Sequence, residues 1–398
     1  MMPRLRVAGL GDSRSPRGAT VLELLFDIVY VFALARLAGR ISDDLTIVRD
    51  TLLSEAGQTV VVFVAMWLVW SLNALTTSLF DPRRPDLQVI LLLSMFGTLV
   101  LAVSLPQAFG ERGVIFSCTY VAIQVGRPLY LTLALRGHPR QRGMLRALTW
   151  HSASGVLWIA GGASGGTGRG ILWTAAVAIE VVGSATRWPV PGLGVTWQWG
   201  DRLSVDHLAE RYNQFFMIAL AEVLLETGAA ISYPGLSTER TAALVAAFLT
   251  VVAFWRIYFS HVGPSRAATT GDARDALRPS EWASFSLLLM VTGIVCVAVG
   301  FGHVIEDPEP PIDWALVAVL FGGLVLFLVG RIFLERPVDQ HRRCRVLAVG
   351  ALVLVLVAPT MVLVPPIVMA VVASLIISAV AVSDRFFHAS PVPTNPTL

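Results

Sequence analysis

Apolar residues gather in twelve separate runs along the chain, and short polar stretches divide one run from the next. Runs of about 18 or more apolar residues mark helices long enough to cross the hydrocarbon core of a bilayer. The pattern therefore predicts an all-α fold, a polytopic membrane bundle with about twelve transmembrane helices. The runs are residues 21–39, 59–80, 88–109, 113–135, 144–161, 170–188, 212–232, 241–260, 283–303, 313–334, 346–363 and 366–383.

The last two runs meet at a group of prolines, Pro359, Pro365 and Pro366. Proline lacks the backbone N–H that a helix interior needs, and the residue before it disfavours the helical conformation. Two alternatives therefore stay open for this part of the chain. Either both runs cross the membrane, or the prolines mark a re-entrant turn.

The composition excludes an ordinary soluble domain. Hydrophobic residues make up 55% of the 398 residues and charged residues 14%, and the mean hydropathy is +0.69. A soluble domain carries roughly 25% charged residues. We therefore expect membrane lipid to be a partner of the protein. The net charge of +3 is small, and we expect no nucleic-acid partner.

All the basic residues are arginine, and they concentrate in the N-terminal tail and in the even-numbered loops. The odd-numbered loops carry few arginines, and the ninth is acidic, with Glu306, Asp307, Glu309 and Asp313. Short loops rich in arginine remain in the cytoplasm. The alternation predicts a multi-pass protein of the cell's inner (plasma) membrane with both termini cytoplasmic.

The two halves of the chain resemble each other. Residues 31–35 are similar to residues 217–221, and residues 125–127 are similar to residues 329–331. The similarity predicts two parallel six-helix repeats, and such folds place their binding site between the halves near the midplane. The predicted parts are a cytoplasmic tail (1–20), a first membrane half (21–188), a cytoplasmic linker (189–211), a second membrane half (212–384) and a cytoplasmic tail (385–398).

Four acids inside the apolar runs are candidate functional groups, because an ionisable residue at the centre of a membrane helix costs about 2.5–3.5 kcal/mol on insertion scales. Glu23 and Asp27 are four residues apart, and so are Glu222 and Glu226, which places each pair on one helix face. Purely structural ion pairs are the alternative. For Glu23 a second alternative is a helix cap, since it lies near the start of its run.

Arginines and aromatic residues in the runs are candidate substrate contacts. Arginine would supply a counter-charge to the acids, and aromatic faces would line a cavity that stabilises a cation. Packing and interfacial anchoring are the alternatives for the aromatic residues. The candidates are Arg127, Arg256, Tyr30, Trp67, Trp255 and Tyr258.

We expect neither a metal nor a cofactor. The glycine-rich segment 161–170 lacks the Gly-Lys-Ser/Thr end of a phosphate-binding loop. His207 and Glu210 have a spacing that suits metal ligands on a helix, but the chain holds no second such pair and no Cys-x-x-Cys.

Two segments carry a family resemblance. Residues 22–33, Leu-Glu-Leu-Leu-Phe-Asp-Ile-Val-Tyr-Val-Phe-Ala, resemble the opening signature of the bacterial low temperature requirement protein A family. The run His-Leu-Ala-Glu-Arg at 207–211, followed by a glutamate at 222, resembles its second signature, although Ala221 stands where the family usually has glycine. The resemblance covers nearly the whole chain. It implies a polytopic membrane protein with these acids at its centre, and it implies no particular reaction.

Two function classes follow from these residues. The first is transport or conduction of a proton, a cation or a small substrate, with Asp27 and Glu222 as the protonatable groups and Arg127 as counter-charge. The second is an intramembrane enzyme, a cyclase or isomerase of an isoprenoid lipid, in which Asp27 or Glu222 protonates the substrate as a buried carboxylic acid and aromatic faces stabilise the carbocation. A small-molecule or ion substrate is expected in both cases.

Overall fold

The computed structural model describes residues 18–45, 49–194, 204–232, 235–260, 273–308, 314–334 and 341–386. Within these ranges the chain is helical, and a helix is found at each of the twelve apolar runs. The predicted all-α fold is confirmed. The helices are α1 (Val21–Leu45), α2 (Arg49–Leu79), α3 (Pro85–Ser104), α4 (Gly113–Ala134), α5 (Gln141–Ala163), α6 (Gly166–Ala185), α7 (Val205–Ser232), α8 (Thr238–Phe259), α9 (Ala273–Glu306), α10 (Trp314–Leu334), α11 (His341–Val357) and α12 (Pro366–Phe386).

Nine of the described helices are long and apolar enough to cross a membrane, and these are all except α1, α5 and α6. The three exceptions carry buried polar groups, among them Asp27 on α1, His151 on α5 and Glu180 on α6. Charged and polar residues of this kind take a helix outside the hydropathy and charge limits for a span, although these side chains are buried in the protein. The polytopic membrane protein predicted from the sequence is thus confirmed, with nine qualifying spans in the described ranges.

The proline-rich join near the C-terminus is a 3₁₀ turn, Ala358–Leu363, between α11 and α12. Both flanking segments, Cys344–Leu363 and Pro366–Ser383, meet the length and hydropathy requirement for a membrane span. These features favour two crossing helices over a re-entrant turn.

Large apolar side chains on the outside of the helices show why lipid is the solvent. Leu93 and Phe96 on α3 are each 66% exposed, and Leu225 on α7 is 58% exposed. Lipid tails are as apolar as these side chains, so the side chains need not be buried inside the protein. The apolar interior also holds buried polar and charged side chains, which are costly to place against lipid.

The chain divides into two compact units. The first unit is Met1–Ile218 with Ser265–Ser284, and the second is Ala219–Pro264 with Phe285–Leu398. Helices α7 and α9 therefore contribute to both units. The six-helix repeats remain a prediction. Most of both predicted tails and residues 195–203 of the predicted linker lie outside the described residues.

In the first unit, α4 packs on α5, α5 packs on α6, and α1 packs on α2 and α3. Aromatic rings fill the space between α4, α5 and α6, with ring centroids 4.4 Å apart for Tyr120 and Trp158 and 5.0 Å apart for Trp158 and Trp173. Small residues let the helix backbones approach closely. A Cβ atom at Gly162 would lie 3.2 Å from the carbonyl oxygen of Gly113.

In the second unit, α8 packs on α12, α10 packs on α11, and glycines join α9 to α10. A Cβ atom at Gly323 would lie 2.8 Å from the carbonyl oxygen of Gly293 and 2.9 Å from Cβ of Cys296. Neither atom belongs to a flexible side-chain end. The α9–α10 contact therefore depends on the absence of a side chain at residue 323.

We predict that Gly323→Ala destabilises the detergent-solubilised protein by about 1–3 kcal/mol, the cost of overpacking a close-packed interior. Gly322→Ala is the matched control, because a Cβ atom there would meet nothing within 4 Å. Alanine is a better helix former than glycine, so the control is neutral or slightly stabilising. Thermal unfolding of both variants tests the prediction, and equal stability of the two would contradict it.

Candidate functional site

Asp27 and Arg211 form a bidentate ion pair between α1 and α7. The guanidinium Nη1 donates to Oδ2 of Asp27 and Nη2 donates to Oδ1, each over 2.8 Å. The indole Nε1 of Trp70 on α2 donates a third hydrogen bond to Oδ1 over 2.9 Å. Both charged side chains are 1% exposed or less. Paired N–H donors on a carboxylate give this geometry both strength and direction.

Glu23 extends the ion pair by one turn of α1. Its Oε2 lies 3.3 Å from Nε2 of His207, and its Oε1 lies 3.7 Å from Nε of Arg211. We call Glu23, Asp27, His207 and Arg211 the acid–arginine cluster. Two acids and one histidine thus face the single guanidinium of Arg211 within this cluster.

Glu23 also caps α1, which was one of the alternatives predicted for it. The amide and the hydroxyl of Thr20 donate to Oε2 of Glu23 over 2.8 and 2.9 Å. The amide of Glu23 donates in return to Oγ1 of Thr20 over 3.4 Å. This reciprocal pair is a capping box, and it fixes the start of α1. On α2, the hydroxyl of Ser78 lies 3.1 Å from Nδ1 of His207.

Buried aromatic rings surround the acid–arginine cluster. Ring centroids are 4.0 Å apart for Trp70 and Phe215, 5.0 Å apart for Trp67 and Trp70, and 5.4 Å apart for Tyr30 and Phe215. The structure thus brings the predicted candidates Tyr30 and Trp67 into contact with Trp70, the residue that donates a hydrogen bond to Asp27. These rings contact one another directly and are all buried, so they form a packed aromatic group on one side of the ion pair.

Arg127, the predicted counter-charge, belongs to a different group of residues in the first unit. Its Nη2 donates to Oε1 of Gln124 over 2.9 Å, beside the buried acid Glu180 of α6. Glu180 accepts hydrogen bonds from Tyr120 over 2.6 Å and Ser154 over 2.7 Å. Weaker bonds come from Trp158 and Gln124. Both carboxylate oxygens of Glu180 therefore accept hydrogen bonds, and these bonds join α6 to α4 and α5.

Glu222 and Glu226 lie on α7 within the second unit. Glu222 is 1% exposed, and within the described part of the chain neither of its carboxylate oxygens has a hydrogen-bond partner. Glu226 is half-buried against α9, where a Cβ atom at Gly302 would lie 3.1 Å from its Cγ. His303 and Glu306 follow on the last turn of α9, half-buried and exposed respectively.

The remaining candidates lie on α8. Nε of Arg256 donates to the carbonyl of Ala381 over 3.1 Å, which ties α8 to α12. Tyr258 is buried, and its ring centroid lies 4.9 Å from that of Phe259. Trp255 is 46% exposed. The hydrogen bond of Arg256 and the ring contact of Tyr258 are helix-packing interactions.

Sequence reasoning missed two members of the cluster, His207 and Arg211. The spacing of His207 and Glu210 drew attention to metal binding, whereas the structure pairs His207 with Glu23. The signal that could have found both residues is the second signature of the family resemblance, which contains each of them in the run 207–211.

The helices and their buried acids define a polytopic helical membrane protein. The family described as Bacterial low temperature requirement A protein (LtrA) matches residues 18–382, and the chain belongs to that family. It is also similar to uncharacterized protein RA0937 of Rhizobium meliloti (strain 1021). The two are 34% identical over 325 residues, which cover 80% of this chain and 77% of that protein. No solved structure matches the chain.

We predict that Arg211→Met destabilises the protein by about 3–5 kcal/mol, because two buried carboxylates lose their cation. In the double variant Asp27→Leu/Arg211→Met, the loss is smaller than the sum of the two single losses, since one uncompensated charge is gone.

Thermal unfolding of the two single variants and the double variant measures this coupling. Arg36→Met is the control, an exposed arginine on the same α1, for which we expect a change within about 0.5 kcal/mol. Strict additivity of the two single changes would contradict the assignment of Arg211 as the partner of Asp27.

Proposed function

We propose that this family member transports or conducts protons, or a small solute coupled to them, through reversible protonation of Glu222. The observation that carries the proposal is the environment of the Glu222 carboxylate. Glu222 lies inside the candidate span Asp206–Ser232, is buried, and has oxygens without a hydrogen-bond partner in the described residues. Acids in this situation mark proton relays and ion pathways in membrane proteins.

A row of ionisable groups supports a route between Glu222 and the end of α9. Glu226 follows Glu222 by one helical turn on the same face, and side chains at this spacing are neighbours. Glu226 contacts the α9 backbone at Gly302, next to His303, and Glu306 lies one turn further on at the exposed end of the helix. Burial decreases along this row from buried Glu222, through half-buried Glu226 and His303, to exposed Glu306, as a path for protons toward water requires.

The arginine distribution suggests the side on which this route opens. We propose that both termini lie in the cytoplasm and that the protein is in the plasma membrane, following the excess of arginine in even-numbered loops. The loop after α9 is acidic and odd-numbered. On this orientation Glu306 lies at the outer face, and protons would enter the route from outside.

The acid–arginine cluster has a different role in this proposal. Asp27 accepts three N–H donors, from Arg211 and Trp70, and a guanidinium in this geometry pairs with the ionised acid. Such an acid holds helices together and has little freedom to exchange a proton. We propose that it positions α7, the helix that also carries Glu222.

The cyclase or isomerase alternative receives less support with Asp27 as its general acid. That mechanism needs a carboxylic acid that donates a proton into an aromatic-lined space. Asp27 accepts hydrogen bonds from three N–H groups, and the rings of Trp70 and Phe215 beside it lie 4.0 Å apart, too close to admit a lipid chain between them.

We predict that Glu222→Gln abolishes proton flux into proteoliposomes, measured with a trapped pH-sensitive dye under an imposed membrane potential. Glutamine keeps the size of the side chain but cannot carry a proton as a carboxylate does. Glu226→Gln slows the flux without abolishing it, because the route retains its inner acid. Glu239→Gln is the matched control, since this acid lies exposed at the start of α8.

Thermal unfolding of the same preparations separates a functional loss from a folding loss. We expect Glu222→Gln to be at least as stable as the wild type, because it removes a buried charge. Wild-type flux in a folded Glu222→Gln variant would overturn the proposal.

A further inference from the structure

A groove of about 590 Å³ runs between α11 and α12 in the second unit. Its walls are apolar, and they include Val349, Val353, Ile376 and Ala379. Both helices contain candidate membrane spans, so the groove lies within the apolar part of each. Gly350 allows the two helices to approach, because a Cβ atom there would collide with the side chain of Val380.

The groove has one charged end. Arg345 lines it at the start of the span Cys344–Leu363 and is exposed. Within the described ranges Arg345 makes neither a hydrogen bond nor an ion pair. Arg342 and Arg343 precede it in the sequence. An arginine at the end of a membrane span reaches the level of the lipid head groups, and its guanidinium matches the geometry of a phosphate.

The apolar length suits a hydrocarbon chain. From Arg345 to Val353 the axis of α11 advances by about 12 Å, at 1.5 Å per residue. Val349 and Val353 on this stretch are exposed, at 58% and 37%. A chain in the groove would cover them while its head group reached Arg345.

We propose that this groove binds an anionic phospholipid, with the phosphate on Arg345 and one acyl chain along α11 and α12. The charge at one end and the apolar walls together specify a molecule that is both anionic and amphipathic. A basic site between membrane helices is a known means of holding anionic head groups. The site is independent of the proton route on α7 and α9.

The test is native mass spectrometry of the detergent-solubilised full chain after reconstitution with equal amounts of phosphatidylglycerol and phosphatidylcholine. We expect the wild type to retain phosphatidylglycerol. We expect Arg345→Gln to retain about fivefold less phosphatidylglycerol than the wild type, which is the effect of removing one arginine near a membrane surface. Ala379→Leu fills the groove from an exposed position and lowers retention of the lipid as well. Arg142→Gln, an exposed arginine of the first unit, is the control and retains the lipid.

Four results would overturn the proposal. They are unchanged phosphatidylglycerol retention in Arg345→Gln, equal losses in Arg345→Gln and Arg142→Gln, displacement of the lipid by millimolar inorganic phosphate, and a dimer that Ala379→Leu dissociates. The third would assign the site to free phosphate, and the fourth would assign the groove to a second copy of the chain. Circular dichroism of each variant verifies that the helices are retained.

Discussion

The buried ion pair between Asp27 and Arg211 is the constraint on which the arrangement of α1, α2 and α7 depends. A lone charge inside a membrane protein costs several kcal/mol, so each member of the pair requires the other at a fixed distance and angle. Trp70 supplies the remaining donor from α2, and Glu23 extends the pair towards His207. Side chains from α1, α2 and α7 thus meet at the carboxylate of Asp27, beside the buried rings of Trp70 and Phe215.

Three of the buried acids, Asp27, Glu180 and Glu222, differ in how many hydrogen bonds their carboxylate oxygens accept. Asp27 and Glu180 each accept several hydrogen bonds from neighbouring helices, and both join helices of the first unit. Glu222, in the second unit, accepts none from the described residues. A buried acid whose oxygens accept several hydrogen bonds stabilises the fold, whereas a buried carboxylate without hydrogen-bond partners is stabilised by binding a proton. This contrast separates the structural acids from the exchangeable one in our account.

The sequence allowed the helices to be placed because hydrophobic length is a local property that each segment carries by itself. The partner of a charged residue, in contrast, can lie far away in the sequence. Asp27 and Arg211 are far apart in the chain, and Arg127 has the same charge and was the expected partner, but it lies beside Gln124 instead. Helices α1, α5 and α6 carry charged and polar residues whose place in a membrane protein cannot be judged locally, since such groups are acceptable only when neighbouring helices satisfy them. The candidate acids could be predicted from the sequence, because an ionisable residue in a membrane helix costs free energy. Their separate roles depend on their hydrogen-bond partners, which only the structure gives.

The central claim is that Glu222 is the acid that exchanges protons with water. Infrared difference spectroscopy across a pH titration, in H₂O and in D₂O, reports on it directly through the C=O stretch of a protonated carboxyl. Our account predicts a band that appears on acidification, shifts in D₂O and is missing in Glu222→Gln. A titrating band that persists in Glu222→Gln, or a Glu222 band that D₂O does not shift, would contradict it.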